Sequence, residues 1–287
     1  MIPTAFEYQR AVSLDDAVAK LTAANGSGKL IAGGHSLVPL MKLRLSEPGV
    51  LIDISRIPGL SGIQEKDGKI EIGASTVHDD IATSDLLRQR SPMLAEAAAG
   101  IGDPQVRNRG TIGGSLAHAD PAADYPAIVL ALDADIHIKG PGGWRVAHAS
   151  GFFQDLFTVD LAPDEVIASV QFAPSRASAY AKLHQRASRY AIIGVAAALD
   201  VNNGAVRSAR IGLTGAGPKA LRLTNVEQAL AGKRLSDETI DAAARLADVE
   251  LQALSSDIHA SAEYRRAMIP VFARRALQAA VRRSEAS

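Results

Sequence analysis

Hydrophobic positions recur in this chain at two spacings, and each spacing predicts one type of element. Apolar residues three and four positions apart follow the cap signal at Ser13, which predicts an amphipathic helix ending at the turn 26–28. The segments 37–46 and 76–100 are also helical in pattern, and a glycine-rich turn is expected at 140–143. Short apolar or alternating runs predict strands at residues 29–32, 50–54, 69–74, 135–139 and 165–172.

The C-terminal part of the chain has a different pattern. After about residue 175, apolar runs predict two or three antiparallel strands, and beyond Leu221 the spacing is helical. We therefore place a domain boundary at residue 177, between 1–177 and 178–287. Helices are expected at residues 224–232, 236–254 and 261–284, with Ser236 and Ser261 as N-caps of the last two.

The segment 103–127 interrupts these patterns with closely spaced glycines and prolines. Such a density excludes a long regular element, and predicted helices or strands flank the segment on both sides. Because long loops in compact domains are commonly functional, we expect a functional loop here.

Composition excludes several classes of protein. The 31 basic residues balance 31 acidic ones, so no overall field draws the chain to nucleic acid, and the basic run at 274–283 is interpreted as a solvated face. Without cysteine the chain forms no disulfide and no iron–sulfur cluster of its own.

The first residues lack a signal-peptide pattern, and no apolar run reaches the ~20 residues of a transmembrane helix. We therefore expect a cytoplasmic protein.

Two glycine pairs are the strongest chemical signal in the sequence. The first lies in Ala32-Gly33-Gly34-His35-Ser36, directly after a predicted strand, and the second lies in the segment 110–115. Residues without side chains let backbone N–H groups approach a phosphate closely, and nearby hydroxyls at Ser36, Thr111 and Ser115 add donors. A single glycine pair is more often an ordinary turn than a phosphate site, and the two pairs taken together are as consistent with phosphate binding as with turns. Together they predict two similar pockets for one diphosphate.

Other candidate groups are weaker. No Rossmann fingerprint, Walker loop or nucleophile elbow is present. Asp120 and Asp124 bracket a proline turn, where a carboxylate either accepts hydrogen bonds from ligand hydroxyls or caps the turn. His35 and His118 lack a third ligand at regular spacing, so no metal site is assigned.

Three strings carry a resemblance to a known family. AGGHSLVPLMKLRL, DPQVRNRGTIGGSLAHADPAADYPA and YAKLHQRASRYAIIGVAAAL resemble, in order and spacing, the medium flavoprotein subunit of the carbon monoxide dehydrogenase and xanthine dehydrogenase family. The resemblance implies an α+β fold, with a two-lobed FAD-binding domain of the vanillyl-alcohol-oxidase (PCMH) type and a C-terminal α+β domain with a small antiparallel sheet and helices. The sublobes are expected at about 1–57 and 58–177.

The resemblance also implies a cofactor site. Both glycine motifs would hold the FAD diphosphate, Ile167 would pack near the isoalloxazine, and Lys182 would lie near the ring and stabilise negative charge there; the alternative for Lys182 is a surface lysine. No catalytic residue and no metal ligand is expected in this chain. The expected FAD-binding residues are Ala32, Gly33, Gly34, His35, Ser36, Leu37, Ile101, Gly110, Thr111, Gly113, Gly114, Ser115, Asp120, Asp124, Ile167 and Lys182.

The function implied is electron relay within a molybdenum hydroxylase. A large subunit would carry the molybdenum cofactor and a small subunit two [2Fe-2S] clusters, in a dimer of heterotrimers. The substrate of the holoenzyme would be an aromatic N-heterocycle, an aldehyde or carbon monoxide, and the string Asp-Pro-Ala-Ala-Asp at 120–124 is closer to the heterocycle branch. Two alternatives are a stand-alone oxidase with FAD attached covalently to the histidine of Gly-Gly-His, and a scaffold subunit without flavin.

Overall fold

The computed structural model describes residues 2–249 and 251–285. Within them, helices pack against a three-stranded, a five-stranded and a four-stranded sheet and a two-stranded ribbon. One hydrophobic core is built mainly from residues 11–172, and a second from residues 179–281.

The first sheet leads into the first glycine motif. Its strands are parallel, in the order β1-β3-β2, with β1 at Glu7–Arg10, β2 at Gly28–Ile31 and β3 at Val50–Asp53. Helix α1 (Leu14–Ala23) connects β1 to β2, and the Ser13 side chain caps it as predicted. Strand β1 was not predicted, because Glu-Tyr-Gln-Arg is exposed and has no apolar alternation.

The second sheet is antiparallel, in the order β4-β5-β10-β6-β7, and a separate ribbon pairs β8 with β9. Strand β10 is buried along nearly its whole length because it lies in the middle of the sheet. The bounds are Ile63–Lys66 for β4, Lys69–Gly73 for β5, Asp135–Gly140 for β6, Gly143–His148 for β7, Phe153–Asp155 for β8, Thr158–Val159 for β9 and Val166–Phe172 for β10.

The third sheet joins the two cores. Along its second strand, Ala196 and Ala198 belong to the first core, whereas Val195 and Ala197 belong to the second, as expected for side chains that alternate across a sheet. Helix α8 (Asp124–Ala131) and helix α12 (Ala262–Glu285) both pack against this sheet. The strands are antiparallel, namely β11 (Ser178–His184), β12 (Ala191–Asn202), β13 (Ala205–Thr214) and β14 (Leu221–Arg222).

The remaining helices are short. In the part of the chain that the structure describes, no helix is both long and apolar enough to cross a membrane. The bounds are Leu37–Lys42 for α2, His78–Thr83 for α3, Asp85–Arg90 for α4, Pro92–Ala99 for α5, Pro104–Arg107 for α6, Ile112–His118 for α7, Ala149–Phe152 for α9, Thr224–Leu230 for α10 and Asp237–Ala244 for α11.

The prediction of one continuous helix over 76–100 is wrong, because the structure has three short helices there, α3, α4 and α5. Ser84 has extended backbone angles and its side chain accepts a hydrogen bond from Leu87 N, so a new helix begins there. Pro92 then opens α5, since it lacks the N–H that a continuing helix needs.

The expected loop at 103–127 contains three short helices, α6, α7 and the first residues of α8. Asp103 caps α6 by accepting from Val106 N, and Thr111 caps α7 by accepting from Gly114 N. The glycines and prolines therefore limit the length of the helices rather than preventing them.

The helix predicted at 236–254 ends early. Ser236 caps α11 as expected, but after Ala244 the hydrogen bonds shorten to a three-residue spacing, as in Ala247 N to Ala244 O. The chain then turns away, and Ser255 N bonds to Ala216 O. Ser261 accepts from Tyr264 N and so caps α12, as predicted.

Candidate functional site

A cavity of about 850 Å³ lies between the end of β2, the start of α7 and the loop before β12. Its size is within the range of cofactor and ligand pockets in proteins. Ile101 and Ile167 form part of its apolar wall, and the packing of Ile167 near an isoalloxazine ring stays a prediction. The other predicted residues that line it are Ala32, Gly33, Gly34, His35, Ser36, Leu37, Gly110, Thr111, Gly113, Gly114, Ser115, Asp120 and Asp124.

The two glycine motifs are in direct contact. A Cβ atom on Gly33 would lie 2.0 Å from the carbonyl oxygen of Arg109 and 2.9 Å from Cα of Gly110. Both neighbours are backbone atoms, which a side-chain rotation cannot move away. Glycine at position 33 is therefore a requirement of this approach, and one ligand is able to contact both motifs at once.

The first motif presents unpaired backbone donors. Among the described residues, none of the N–H groups of 33–37 donates a hydrogen bond to a protein acceptor. Gly34 has a φ of +74°, in the left-handed region that favours glycine. A run of free N–H groups around such a residue is typical of an anion-binding nest. The exposed backbone N–H groups expected of this motif are therefore present, and phosphate binding by them stays a prediction.

The second motif differs from the first, and the prediction of two similar pockets is wrong. The backbone N–H of Gly113 donates to Ala74 O at 2.8 Å, and that of Gly114 donates to Thr111 Oγ1 at 3.1 Å. Gly113 has no room for a side chain, since a Cβ would lie 2.6 Å from Cβ of Ala74. This motif is therefore a fixed wall of the cavity, to which Thr111 and Ser115 contribute.

The proline turn between Asp120 and Asp124 is held by the third sheet. The Thr214 hydroxyl contacts the carbonyl oxygens of Pro121 at 2.9 Å and Ala123 at 2.8 Å. Asp120 caps the turn by accepting from Ala122 N, so the turn-capping alternative holds for this residue, although it also lines the cavity. The third sheet, which lies after residue 177, thus positions the 120–124 side of the cavity. Most other residues that line the cavity precede residue 177.

Asp124 is an ionisable group with little access to water. It is 5% exposed, and its two oxygens accept from the Tyr180 hydroxyl at 2.5 Å and from Lys182 Nζ at 2.9 Å. Burial raises the pKa of Asp124, and the Lys182 ammonium opposes this shift. Burial also raises the pKa of Tyr180, which stays protonated and donates to the carboxyl group.

Lys182 is the predicted residue that does not line the cavity. Its Nζ donates to Asp124 and to the carbonyl oxygens of Gly100 at 3.0 Å and Arg189 at 2.9 Å. The ammonium therefore lies outside the cavity lining. There it binds Asp124 and holds the backbone at Arg189 in place. Any effect of Lys182 on a flavin ring remains a prediction, and it would act through these partners.

His78 is a cavity residue that the sequence analysis missed. It opens α3, and its Nδ1 lies 3.1 Å from the hydroxyl of Tyr125. Burial, with a smaller contribution from the charges of His35 and Arg107, lowers the pKa of His78 to about 4. The signal was weak, because a single histidine in Ser-Thr-Val-His follows no recognisable motif.

Acid should act on the protein through His78. The folded state keeps the imidazole neutral, whereas the unfolded chain protonates it below its ordinary pKa of 6.5. The resulting stability is complete above pH 6.5 and is lost as the pH falls toward 4. We expect His78→Gln to remove this part of the acid sensitivity, about 3 kcal/mol at full extent. Thermal unfolding of both proteins from pH 4 to 7.5 checks it; parallel curves would contradict it.

Two aromatic residues at the cavity were also missed. Tyr190 lines it; the residue is 43% exposed, and partial burial together with the charges of Asp120 and Asp124 raises the pKa of its hydroxyl. Phe157 is half exposed, has a φ of +51° and contacts the ring of His118 at a centroid distance of 5.1 Å.

Within 2–249 and 251–285, no three His, Asp or Glu side chains are grouped as metal ligands. His35 instead contacts the Gly33 carbonyl oxygen.

The cavity and the free N–H groups beside it are features of proteins that bind a phosphate-containing ligand. Two comparisons with family models identify the class of protein. Residues 4–174 match the FAD binding domain in molybdopterin dehydrogenase, and residues 178–280 match the CO dehydrogenase flavoprotein C-terminal domain. The chain belongs to the family of FAD-binding medium subunits of molybdenum hydroxylases, and its fold is the expected PCMH type with a C-terminal α+β domain.

Individual relatives match this chain over nearly its whole length. The carbon monoxide dehydrogenase medium chain of Hydrogenophaga pseudoflava is 42% identical, with 98% of each chain covered. The alpha subunit of the 6-hydroxypseudooxynicotine dehydrogenase complex of Paenarthrobacter nicotinovorans is 39% identical, with 99% of this chain and 97% of the relative covered. The stand-alone oxidase is therefore rejected, since these relatives are chains of multi-subunit enzymes.

Solved structures show the same similarity. Carbon monoxide dehydrogenase from H. pseudoflava superposes with a TM-score of 0.94 at 42% identity, covering 99% of both chains. Quinoline 2-oxidoreductase from Pseudomonas putida 86 superposes with a TM-score of 0.91 at 31% identity, covering 98% of this chain and 99% of that one. These values confirm the family and the fold.

Proposed function

We propose that this subunit holds the FAD diphosphate at the contact between its two glycine motifs. The observation that supports the proposal is the run of unpaired N–H groups at 33–37, which lies against the wall formed by 110–115. An anion placed there would satisfy donors that have no partner within the described protein. Thr111 and Ser115 would add hydroxyl donors, and the cavity is large enough for a dinucleotide.

The other predicted residues would orient the cofactor. Ile101 and Ile167 offer apolar wall on which a flat ring would pack without water, and Asp120 offers a carboxylate for a ribose or ribityl hydroxyl. Asp124 keeps its two oxygens on Tyr180 and Lys182, so we assign it a role in fixing the cavity wall. Bound FAD supplies reversible electron transfer, which no side chain of this subunit provides.

We further propose that the subunit relays electrons from an iron–sulfur partner to an external acceptor. The chain contains no cysteine, so clusters in the pathway have to be carried by other chains. The partners would be a small subunit with two [2Fe-2S] clusters and a large subunit with the molybdenum cofactor, assembled as a dimer of heterotrimers in the cytoplasm. The small and large partners are supported by relatives that are themselves chains of multi-subunit enzymes.

The substrate of the holoenzyme is proposed only as a class. The names of the similar proteins include carbon monoxide, 6-hydroxypseudooxynicotine and quinoline. An aromatic N-heterocycle, an aldehyde and carbon monoxide all remain consistent with a subunit that does not contact the substrate. The string at 120–124 favours the heterocycle branch.

We propose that the chain divides into two domains, the first of which has two sublobes. A boundary at residue 177 is supported by the two hydrophobic cores and by the gap between the two family models. Sublobes of about 1–57 and 58–177 are supported by the separate three-stranded and five-stranded sheets.

Purification through a tag on this chain tests the proposed function. We expect a small and a large chain to be recovered with it, together with molybdenum, iron and FAD. Precipitation with acid should release the flavin into the supernatant, because no covalent bond holds it. A colourless chain without flavin would contradict FAD binding, and a yellow chain recovered alone, without molybdenum or iron, would contradict the relay.

A further inference from the structure

His78 is buried beside the contact between the two glycine motifs. The side chain is 6% exposed and lines the cavity. A Cβ on Gly110 would lie 2.5 Å from Nε2 of His78, so this edge of the imidazole packs directly on the second motif. Among the described residues, Nε2 has no hydrogen-bond partner, whereas Nδ1 contacts the Tyr125 hydroxyl at 3.1 Å.

Tyr125 determines which ring nitrogen carries the proton. Its side chain is fully buried, and within the described residues His78 Nδ1 is the sole hydrogen-bond partner of its hydroxyl. If Nδ1 carried the proton, the hydroxyl hydrogen would have no acceptor, and an unsatisfied buried donor is unfavourable. The tyrosine therefore donates to Nδ1, and a neutral imidazole then carries its proton on Nε2.

We propose that His78 is an additional cofactor-binding residue, whose Nε2–H donates a hydrogen bond to a diphosphate oxygen of FAD. The inference rests on the proposed position of the diphosphate between the glycine motifs. His78 would provide a side-chain donor next to the second motif. The backbone N–H groups of Gly113 and Gly114 in that motif already have protein acceptors. Tyr125 acts as a positioning residue, since it holds the imidazole in the donating tautomer.

Three substitutions separate the hydrogen bond from a packing role. His78→Gln places an amide donor near the position of Nε2, whereas His78→Leu replaces the imidazole with an apolar side chain that has no donor. His148→Leu, on β7 and outside the residues that line the cavity, is the control. The dissociation constant of FAD is measured by quenching of flavin fluorescence on the full chain stripped of flavin, with thermal unfolding of each flavin-free protein recorded alongside.

We expect His78→Leu to raise the dissociation constant of FAD by about tenfold or more, as for loss of a hydrogen bond to a charged group. His78→Gln and His148→Leu should remain within about threefold of the unsubstituted protein. The ³¹P resonances of bound FAD should shift in His78→Leu. Unchanged affinity in this variant, or weaker binding with unchanged ³¹P resonances, would overturn the proposal.

A second measurement needs no variant that might unfold. In the flavin-free chain labelled with ¹⁵N-histidine, a buried imidazole should show a protonated Nε2 and an unprotonated Nδ1 at neutral pH. A protonated Nδ1 at this residue would overturn the inference. If the unsubstituted chain itself fails to bind FAD, the proposed function is wrong; if it binds FAD and His78→Leu binds equally well, only the role of His78 is wrong.

Discussion

Gly33→Ala is expected to weaken FAD binding by about a hundredfold, equivalent to about 3 kcal/mol. The new Cβ would lie 2.0 Å from the carbonyl oxygen of Arg109, so the two glycine motifs would have to separate. Separation would move the free N–H groups of 33–37 away from the hydroxyls of Thr111 and Ser115. Titration of the flavin-free protein with FAD, followed by fluorescence, measures the change.

Gly151→Ala is the matched control for this prediction. A Cβ at Gly151 would meet no atom within 4 Å, and the residue does not line the cavity. We expect this variant to bind FAD like the unsubstituted protein, with equal or slightly higher thermal stability because alanine favours a helix. FAD affinity unchanged in Gly33→Ala would show that the contact between the motifs is not needed for binding.

Lys182→Met should destabilise the folded protein by about 3 kcal/mol. The substitution keeps the length and apolar part of the side chain but leaves Asp124, which is 5% exposed, without its cationic partner. It also removes the donor to the carbonyl oxygens of Gly100 and Arg189. The midpoint of thermal or chemical unfolding at neutral pH measures this effect.

The pH dependence identifies the cause of that loss. Burial already raises the pKa of Asp124 above its ordinary 3.8, and loss of the ammonium raises it further. The folded variant would therefore hold a proton that the unfolded chain releases, so the defect grows as the pH rises and shrinks toward pH 4. Lys182→Met with Asp124→Asn should recover much of the stability. A defect independent of pH, and not reduced in the double variant, would contradict this account.

The local part of the site could be predicted from the sequence. A strand followed by Ala-Gly-Gly-His-Ser predicts a loop with exposed backbone, because glycine has no side chain to cover its N–H group. The N–H groups of 33–37 are free in the structure, although the strand before them is only half-buried. The cap at Ser13 and the long C-terminal helix are likewise determined by nearby residues. Such features depend on a few neighbouring positions, which a sequence pattern contains.

The remaining part of the site depends on contacts between distant positions. The second motif looks like the first in sequence, yet its N–H groups are paired because Ala74 and Thr76 lie against it. Lys182 and Asp124 are 58 positions apart, so no local pattern shows that the lysine binds the carboxylate instead of lining the cavity. His78 and Tyr125 are separated by 47 positions and meet only in the fold.

Amide hydrogen exchange at single-residue resolution, with and without FAD, tests the central claim most directly. Without FAD, the N–H groups of 33–37 should exchange rapidly because they have no protein acceptor, whereas those of Gly113 and Gly114 should already be slow. Addition of FAD should slow exchange in 33–37 by at least about tenfold, since the diphosphate would then accept their hydrogen bonds. Unchanged exchange at 33–37 in the FAD-loaded protein would contradict the account.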